Sequence, residues 1–111
     1  RWLVETMAAR GADHRLFVAD LGDAAAIEAL IPRAAEAFGR PVTLLVNNAS
    51  RFEALAGDAL PAIDELSAYF TINAAAPVAL ARALAAGGGR AVVNILDQRV
   101  KNPPRDQIAY T

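Results

Sequence analysis

The sequence predicts an α/β fold built on an open parallel sheet with flanking helices. Three observations carry the prediction. Short apolar runs recur at residues 15–19, 42–46 and 90–95. Between them lie segments of 3.6-residue apolar period, each long enough for the crossover that parallel strands require. Each run ends in polar residues: Asp20, then Asn47 and Asn48, then Asp97. Strand, helix, strand, helix, strand is the alternation of a parallel α/β sheet with right-handed crossovers, about three strands of it here.

Residues 1–10 read as the end of a helix stopped by Gly11, and residues 15–19 as a short buried strand. Gly22 and Asp23 open a second helix, with Asp23 suited to the positive end of the helix dipole. Its apolar positions are Ile27, Leu30, Ile31, Ala34 and Phe38, and Gly39 closes it. Pro32 interrupts that pattern and is expected to kink or split the helix. The almost unbroken apolar run at 42–46 suits a strand covered on both faces. Residues 47–60 are loop-like. A long helical region then runs from about Pro61 to Ala86, bent by Pro77 and stopped by Gly87, Gly88 and Gly89.

The 111 residues are 55% hydrophobic and 21% charged, which suits a packed core in one small domain. The net charge of −1 offers no electrostatic reason to expect nucleic acid or an anionic membrane as partner. Without cysteine there is no disulfide, thiolate nucleophile or thiolate metal site. A reducing cytoplasm is the default location. No stretch approaches the roughly 20 apolar residues of a membrane helix, and no signal peptide is evident. The chain opens on Arg1 within an amphipathic stretch, so it is expected to begin inside a larger fold.

Ligands of open α/β sheets bind beyond the carboxyl ends of the strands. An acid or amide there more often caps a turn than meets a ligand; three on one edge favour a shared ligand. In Asn47-Asn48-Ala49-Ser50, two amides offer donors and acceptors to backbone or ribose, and Ala49 admits a flat ligand closely. One asparagine is explained by an Asx-type turn, two less easily. Asn73 is unusual in a helix, because its amide competes for backbone bonds. It is either an exposed residue near the Pro77 bend or part of a local distortion whose freed carbonyl, helped by the amide, holds a water.

Asp97 and Tyr110 stand thirteen positions apart, joined by a loop stiffened by Pro103 and Pro104. They read as two proton-carrying groups brought together, or as a turn acid and a packing tyrosine. A phenol needs neighbouring positive charge to donate a proton near neutrality. Arg99, Lys101 and Arg105 are expected to face solvent instead. His14 is a turn residue rather than a metal ligand, and no metal site is expected.

Together these residues resemble the short-chain dehydrogenase/reductase family, whose domain is Rossmann-like. Asp20-Leu21 resembles its adenine-contacting acid, and Asn47-Asn48-Ala49 its motif after the fourth strand. Asn73 resembles its helix asparagine, and residues 94–110 its active-site segment. Where most of the family has a catalytic serine, this chain has Asp97. That substitution resembles the pteridine reductase branch, which includes bacterial dihydrofolate and dihydromonapterin reductases. Ser50 and Phe52 match a serine and an aromatic in that branch, the aromatic stacking the pterin against nicotinamide.

The resemblance implies that residues 1–111 are the central part of one domain of a larger reductase. NADPH is its implied cofactor, with NAD not excluded. Asp20, Leu21, Asn47, Asn48, Ala49, Ser50 and Tyr110 would contact it, while Phe52 and Asp97 hold the pterin. Tyr110 would be the proton donor, with Asn73 holding a relay water, and Asp97, if desolvated beside the ligand, could supply a proton itself. The implied glycine-rich loop and the lysine after the tyrosine fall outside the sequence, so these residues alone are expected to be inactive. The resemblance also implies a homodimer or homotetramer. The rival readings are a carbonyl or 3-oxoacyl reductase and a non-catalytic dinucleotide-binding protein.

Overall fold

In the structure of the protein, a computed structural model, residues 2–53 and 61–101 are described. Helix α1 spans Trp2–Ala9 and ends before Gly11. Helix α2 spans Ala24–Phe38, with Asp23 as its N-cap. The Asp23 carboxylate accepts a hydrogen bond from the Ala25 N–H at 3.0 Å. Such a cap satisfies one of the donors that a helix start leaves without a partner. Gly39 closes α2 at φ 61°, and its N–H returns to the carbonyls of Ala35 and Glu36. That left-handed conformation strains any residue with a Cβ, which is why a glycine stands there. Pro32 does not split the helix: α2 runs through it as one element.

Strands β1 (Leu44–Asn47) and β2 (Ala91–Asn94) pair in parallel, with Leu44 opposite Ala91 and Asn47 opposite Asn94. The connection between them contains helix α3 (Ile63–Phe70), a π-turn (Thr71–Ala75) and helix α4 (Ala76–Ala86), continuous as one helical run. Parallel α/β pairing with a helical crossover is the fold class the sequence predicts.

Residues 15–19 are the exception. They are assigned to no strand, and Leu16 and Val18 are 73% and 88% exposed. A strand is completed by a neighbour's hydrogen bonds, and none is supplied among the described residues. The segment lies instead beside α2. Arg15 lies over the Phe38 ring at 5.3 Å, and Arg33 over the Phe17 ring at 5.2 Å.

The core forms where α2 packs on α4 and α4 packs against one face of β1. Ile27, Ile31, Ala76 and Leu80 are its buried residues, with Leu21, Leu45 and Ala79 among those packed on it. The expectation of cover on both faces of the 42–46 run is not met. Leu45 meets the core, whereas Leu44 and Val46 are about half exposed on the other face. A helix covers only the face it lies across, and α2 and α4 share one.

The helical run Ile63–Ala86 has 24 residues, and an 18-residue window of it has a mean hydropathy of 1.2. By length and composition it could cross a membrane, contrary to the expectation that no segment approaches that length. Its apolar residues divide between two surfaces. Tyr69, Ala76, Leu80 and Leu84 are buried, while Ile63, Phe70 and Val78 are largely exposed. Between α3 and α4, a π-turn inserts an extra residue and rotates α4 relative to α3.

The π-turn has an identifiable cause. A proline has no N–H and its ring crowds the carbonyl four residues earlier, which for Pro77 is that of Asn73. The helix widens to relieve the crowding, and the Ala76 N–H bonds to the carbonyl of Thr71, five residues back. The Asn73 carbonyl is thereby left without an α-helical donor. After the run, the chain leaves through Gly87 to Gly89. Gly89 passes so close to Leu84 that a Cβ there would lie 2.2 Å from the leucine Cγ.

Candidate active site at the strand ends

The parallel register brings two identical strand endings together. Leu-Leu-Val-Asn and Ala-Val-Val-Asn finish at the same level, and Asn47 Nδ2 donates to Asn94 Oδ1 at 2.8 Å. Asn94 joins the site although its immediate neighbours in sequence do not mark it. The signal that could have found it is the repeated apolar-run-plus-asparagine pattern, which becomes a pair only once the strands are in register.

Two clefts flank the end of β1. The larger, about 340 Å3, is lined by residues that include Asn47, Ala49, Ser50, Asn73, Asn94 and Asp97. The smaller, about 170 Å3, is lined by Leu21, Asn48 and Leu80 among others. Asn47, Ala49 and Pro77 belong to both, so the clefts meet over the strand end as one trough. Ala49, whose side chain is a single methyl, forms the shared floor. A trough across a strand end with a small residue at its centre fits an elongated ligand with two flat groups, such as a dinucleotide.

Asn73 resolves the alternatives left by the sequence. It lies inside the π-turn, which is the local distortion expected of it, and it is half-buried rather than exposed. Its amide, however, is committed to the loop opposite. The Arg51 N–H donates to Asn73 Oδ1 at 2.8 Å, and Asn73 Nδ2 donates to the Arg51 carbonyl at 2.9 Å. This two-point bond copies a strand bridge with one side chain. The Ser50 hydroxyl also approaches Asn73 Oδ1 at 3.4 Å. Asn73 therefore fixes the loop that carries Ser50 and Phe52.

The same loop is anchored a second time. The Tyr69 hydroxyl donates to the Glu53 carbonyl at 3.1 Å, and the Arg51 guanidinium lies over the Tyr69 ring at 5.3 Å. Arg51 Nε is buried with no hydrogen-bond partner among the described residues. The weak Arg51–Glu53 ion pair, at 3.5 Å, is a further charged contact of this loop.

Asp97 follows β2 and caps a short 3-10 turn, Gln98–Val100. One carboxylate oxygen accepts from the Arg99 N–H at 2.9 Å, and the other from Arg99 Nη1 at 2.8 Å. Arg99 also lies over the Phe52 ring at 5.2 Å. The expectation that Arg99 faces solvent is thus corrected: its guanidinium bridges Asp97 and Phe52. Toward Arg99 both Asp97 oxygens are hydrogen-bond acceptors.

The smaller cleft has a less direct connection to Asp20. Leu21 lines it, whereas the Asp20 carboxylate accepts from the Gly22 N–H at 2.8 Å and closes a turn. Tyr110 and Arg105 lie outside the described residues. Among the described residues no group of three or more His, Cys, Asp or Glu side chains could hold a metal.

No family model and no curated protein matches the chain. Several solved structures do. A metagenomic short-chain oxidoreductase in complex with NADP is 31% identical, over 99% of this chain and 50% of its own, with a TM-score of 0.83. A short-chain dehydrogenase from Burkholderia cenocepacia J2315, also with NADP, is 29% identical over 98% of this chain and 44% of its own, again at 0.83. The FolM alternative dihydrofolate reductase 1 of Brucella canis, complexed with NADP, is 28% identical over 99% of this chain and 44% of its own, at 0.83. The chain spans half or less of the length of these structures. A Rossmann-like segment with a trough at its strand ends defines the class. At 28–31% identity, the chain is similar to half or less of each of these short-chain dehydrogenase/reductase structures.

Proposed function

We propose that residues 1–111 are the central part of an NADPH-dependent reductase acting on a pterin or dihydrofolate-like substrate. The observation that carries the substrate class is the pairing of Asp97 with Phe52 beside the larger cleft, bridged by Arg99. A carboxylate next to an aromatic face suits a flat ring with N–H and amino donors at its edge. An alcoholate formed from a ketone would instead be repelled by that carboxylate. The likeness to an alternative dihydrofolate reductase supports the same reading.

NADPH, when bound, supplies the hydride that reduces a C=N bond. Leu21 and Asn48 would hold its adenine side in the smaller cleft, with Asp20 setting the turn beneath. Asn47, Ala49 and Ser50 would hold the ribose and nicotinamide side. Asp97 accepts hydrogen bonds from the substrate edge, and Phe52 supports the ring. Asn73 keeps the Ser50–Phe52 loop in place and offers its backbone carbonyl to a water. Tyr110 is assigned the proton-donor role on resemblance alone. The exposed residues Ile63, Phe70 and Val78 support a homodimer or homotetramer formed through the α3–α4 run. A cytoplasmic location, with neither nucleic acid nor membrane as partner, completes the proposal.

Oxidation of NADPH by the full-length protein tests it, with dihydrobiopterin, dihydrofolate, dihydromonapterin and a ketone panel as substrates. Turnover of at least one pterin is expected. Turnover of ketones without any pterin overturns the substrate assignment and leaves the carbonyl reductase. Loss of function in Tyr110→Phe is expected of the enzyme, and no change in that variant favours a non-catalytic binding protein.

A further inference from the structure

We propose that Arg99 is an intramolecular stand-in for the ligand, occupying the contacts that select it: the Asp97 carboxylate and the face of Phe52. The inference rests on the pterin reading and deepens it. A guanidinium is a flat group edged with N–H donors, and here it uses both properties. Nη1 donates to Asp97 at 2.8 Å while Cζ lies over the Phe52 ring, 5.2 Å from its centroid. The 2-amino-4-oxopyrimidine part of a pterin presents the same features, a flat body and an adjacent pair of N–H donors. One carboxylate and one ring face therefore serve either group, but not both in one geometry.

The surrounding structure permits the exchange. The Arg99 side chain is 41% exposed and that of Asp97 is 25% exposed. Neither is locked in the core, and Phe52 is itself 45% exposed. Arg99 can swing out while its backbone N–H keeps its hydrogen bond to Asp97, so the acid stays aimed as the guanidinium leaves. Arg99 thereby raises the threshold for entry. A ring lacking the donor pair cannot replace the contact to Asp97 and gains only the stacking.

The test uses full-length wild-type protein and the variants Arg99→Met and Arg99→Gln, saturated with NADP+ and titrated with two fluorescent rings. Pterin carries the 2-amino group; lumazine has a carbonyl in its place. Cation–π and exposed ion-pair contacts are individually modest, so pterin is expected to bind about three- to tenfold tighter when Arg99 is replaced. Lumazine, which must displace the same contact from the ring face but lacks the 2-amino donor, is expected to bind more weakly than pterin in every protein and to tighten by a similar factor in the variants. NADP+ affinity serves as the folding check for both variants. Pterin affinity that is unchanged or weaker in both variants overturns the stand-in role while leaving the substrate class intact. Failure of every protein to bind pterin, with NADP+ still bound, overturns both.

Discussion

Replacing Asn73 by alanine removes both arms of its bond to Arg51, at 2.8 Å and 2.9 Å. A typical hydrogen bond contributes about 0.5–1.5 kcal/mol net, and unpaired groups away from water cost more. Both arms are part-buried, so the expected loss is roughly 2–3 kcal/mol. Urea unfolding of the full-length protein, followed by circular dichroism, reads this as a lower midpoint at unchanged slope. Asn73→Asp sharpens the test. Its carboxylate can still accept from the Arg51 N–H, but it sets a second oxygen against the Arg51 carbonyl. It is therefore expected to destabilise about as much as alanine. Arg82→Ala, exposed on the same helical run, is the control and should fall within about 0.5 kcal/mol of wild type. A wild-type midpoint for Asn73→Ala, or for Asn73→Asp, would refute the reasoning that this amide holds the loop.

The packing leads to three further outcomes. Gly89→Ala forces a Cβ against buried Leu84 and should cost about 1–3 kcal/mol in the same unfolding assay; adding Leu84→Ala should recover part of it, a non-additivity read by a double-mutant cycle. Asp23→Ala removes the α2 cap and should cost about 1 kcal/mol, checked by thermal unfolding. Pro77→Ala returns an N–H to the Asn73 carbonyl and relaxes the π-turn toward α-helix, a gain that the disturbed Asn73–Arg51 bond offsets, so the unfolding midpoint should fall by less than in Asn73→Ala. The accompanying rotation of Asn73 displaces the Ser50–Phe52 loop, and NADPH oxidation should fall roughly tenfold or more; unchanged kcat with a lost π-turn would show that the distortion is unnecessary.

Local chemistry was legible in the chain wherever a residue acts on its own neighbours. Asp23 and Gly39 bound α2 because capping is decided within one helical turn, and the apolar period of α2 placed Ile27 and Ile31 inside. The strand-end positions of Asn47 and Asp97 came from apolar runs stopping at polar residues. Pro77 announced a disturbance, and the oddity of Asn73 lay four residues before it, where the crowding falls. Partnership could not be read. Residues 15–19 carry strand propensity without a ladder among the described residues. The proline pattern promised a bend and did not show that one extra residue would be inserted as a π-turn.

The order of residues determined an α/β chain with polar groups gathered at the carboxyl edge of its sheet. Hydrophobic period, caps and proline geometry act over a few residues and suffice for that. Tertiary structure alone joined Asn47 to Asn94, locked Asn73 onto Arg51, and drew Arg99 across Asp97 and Phe52. The Asn47–Asn94 pair spans 47 positions, and Asn73 and Arg51 stand 22 apart. Contacts at such separations arise from strand register and from how a widened helix faces a loop, and neither quantity exists before the chain has packed.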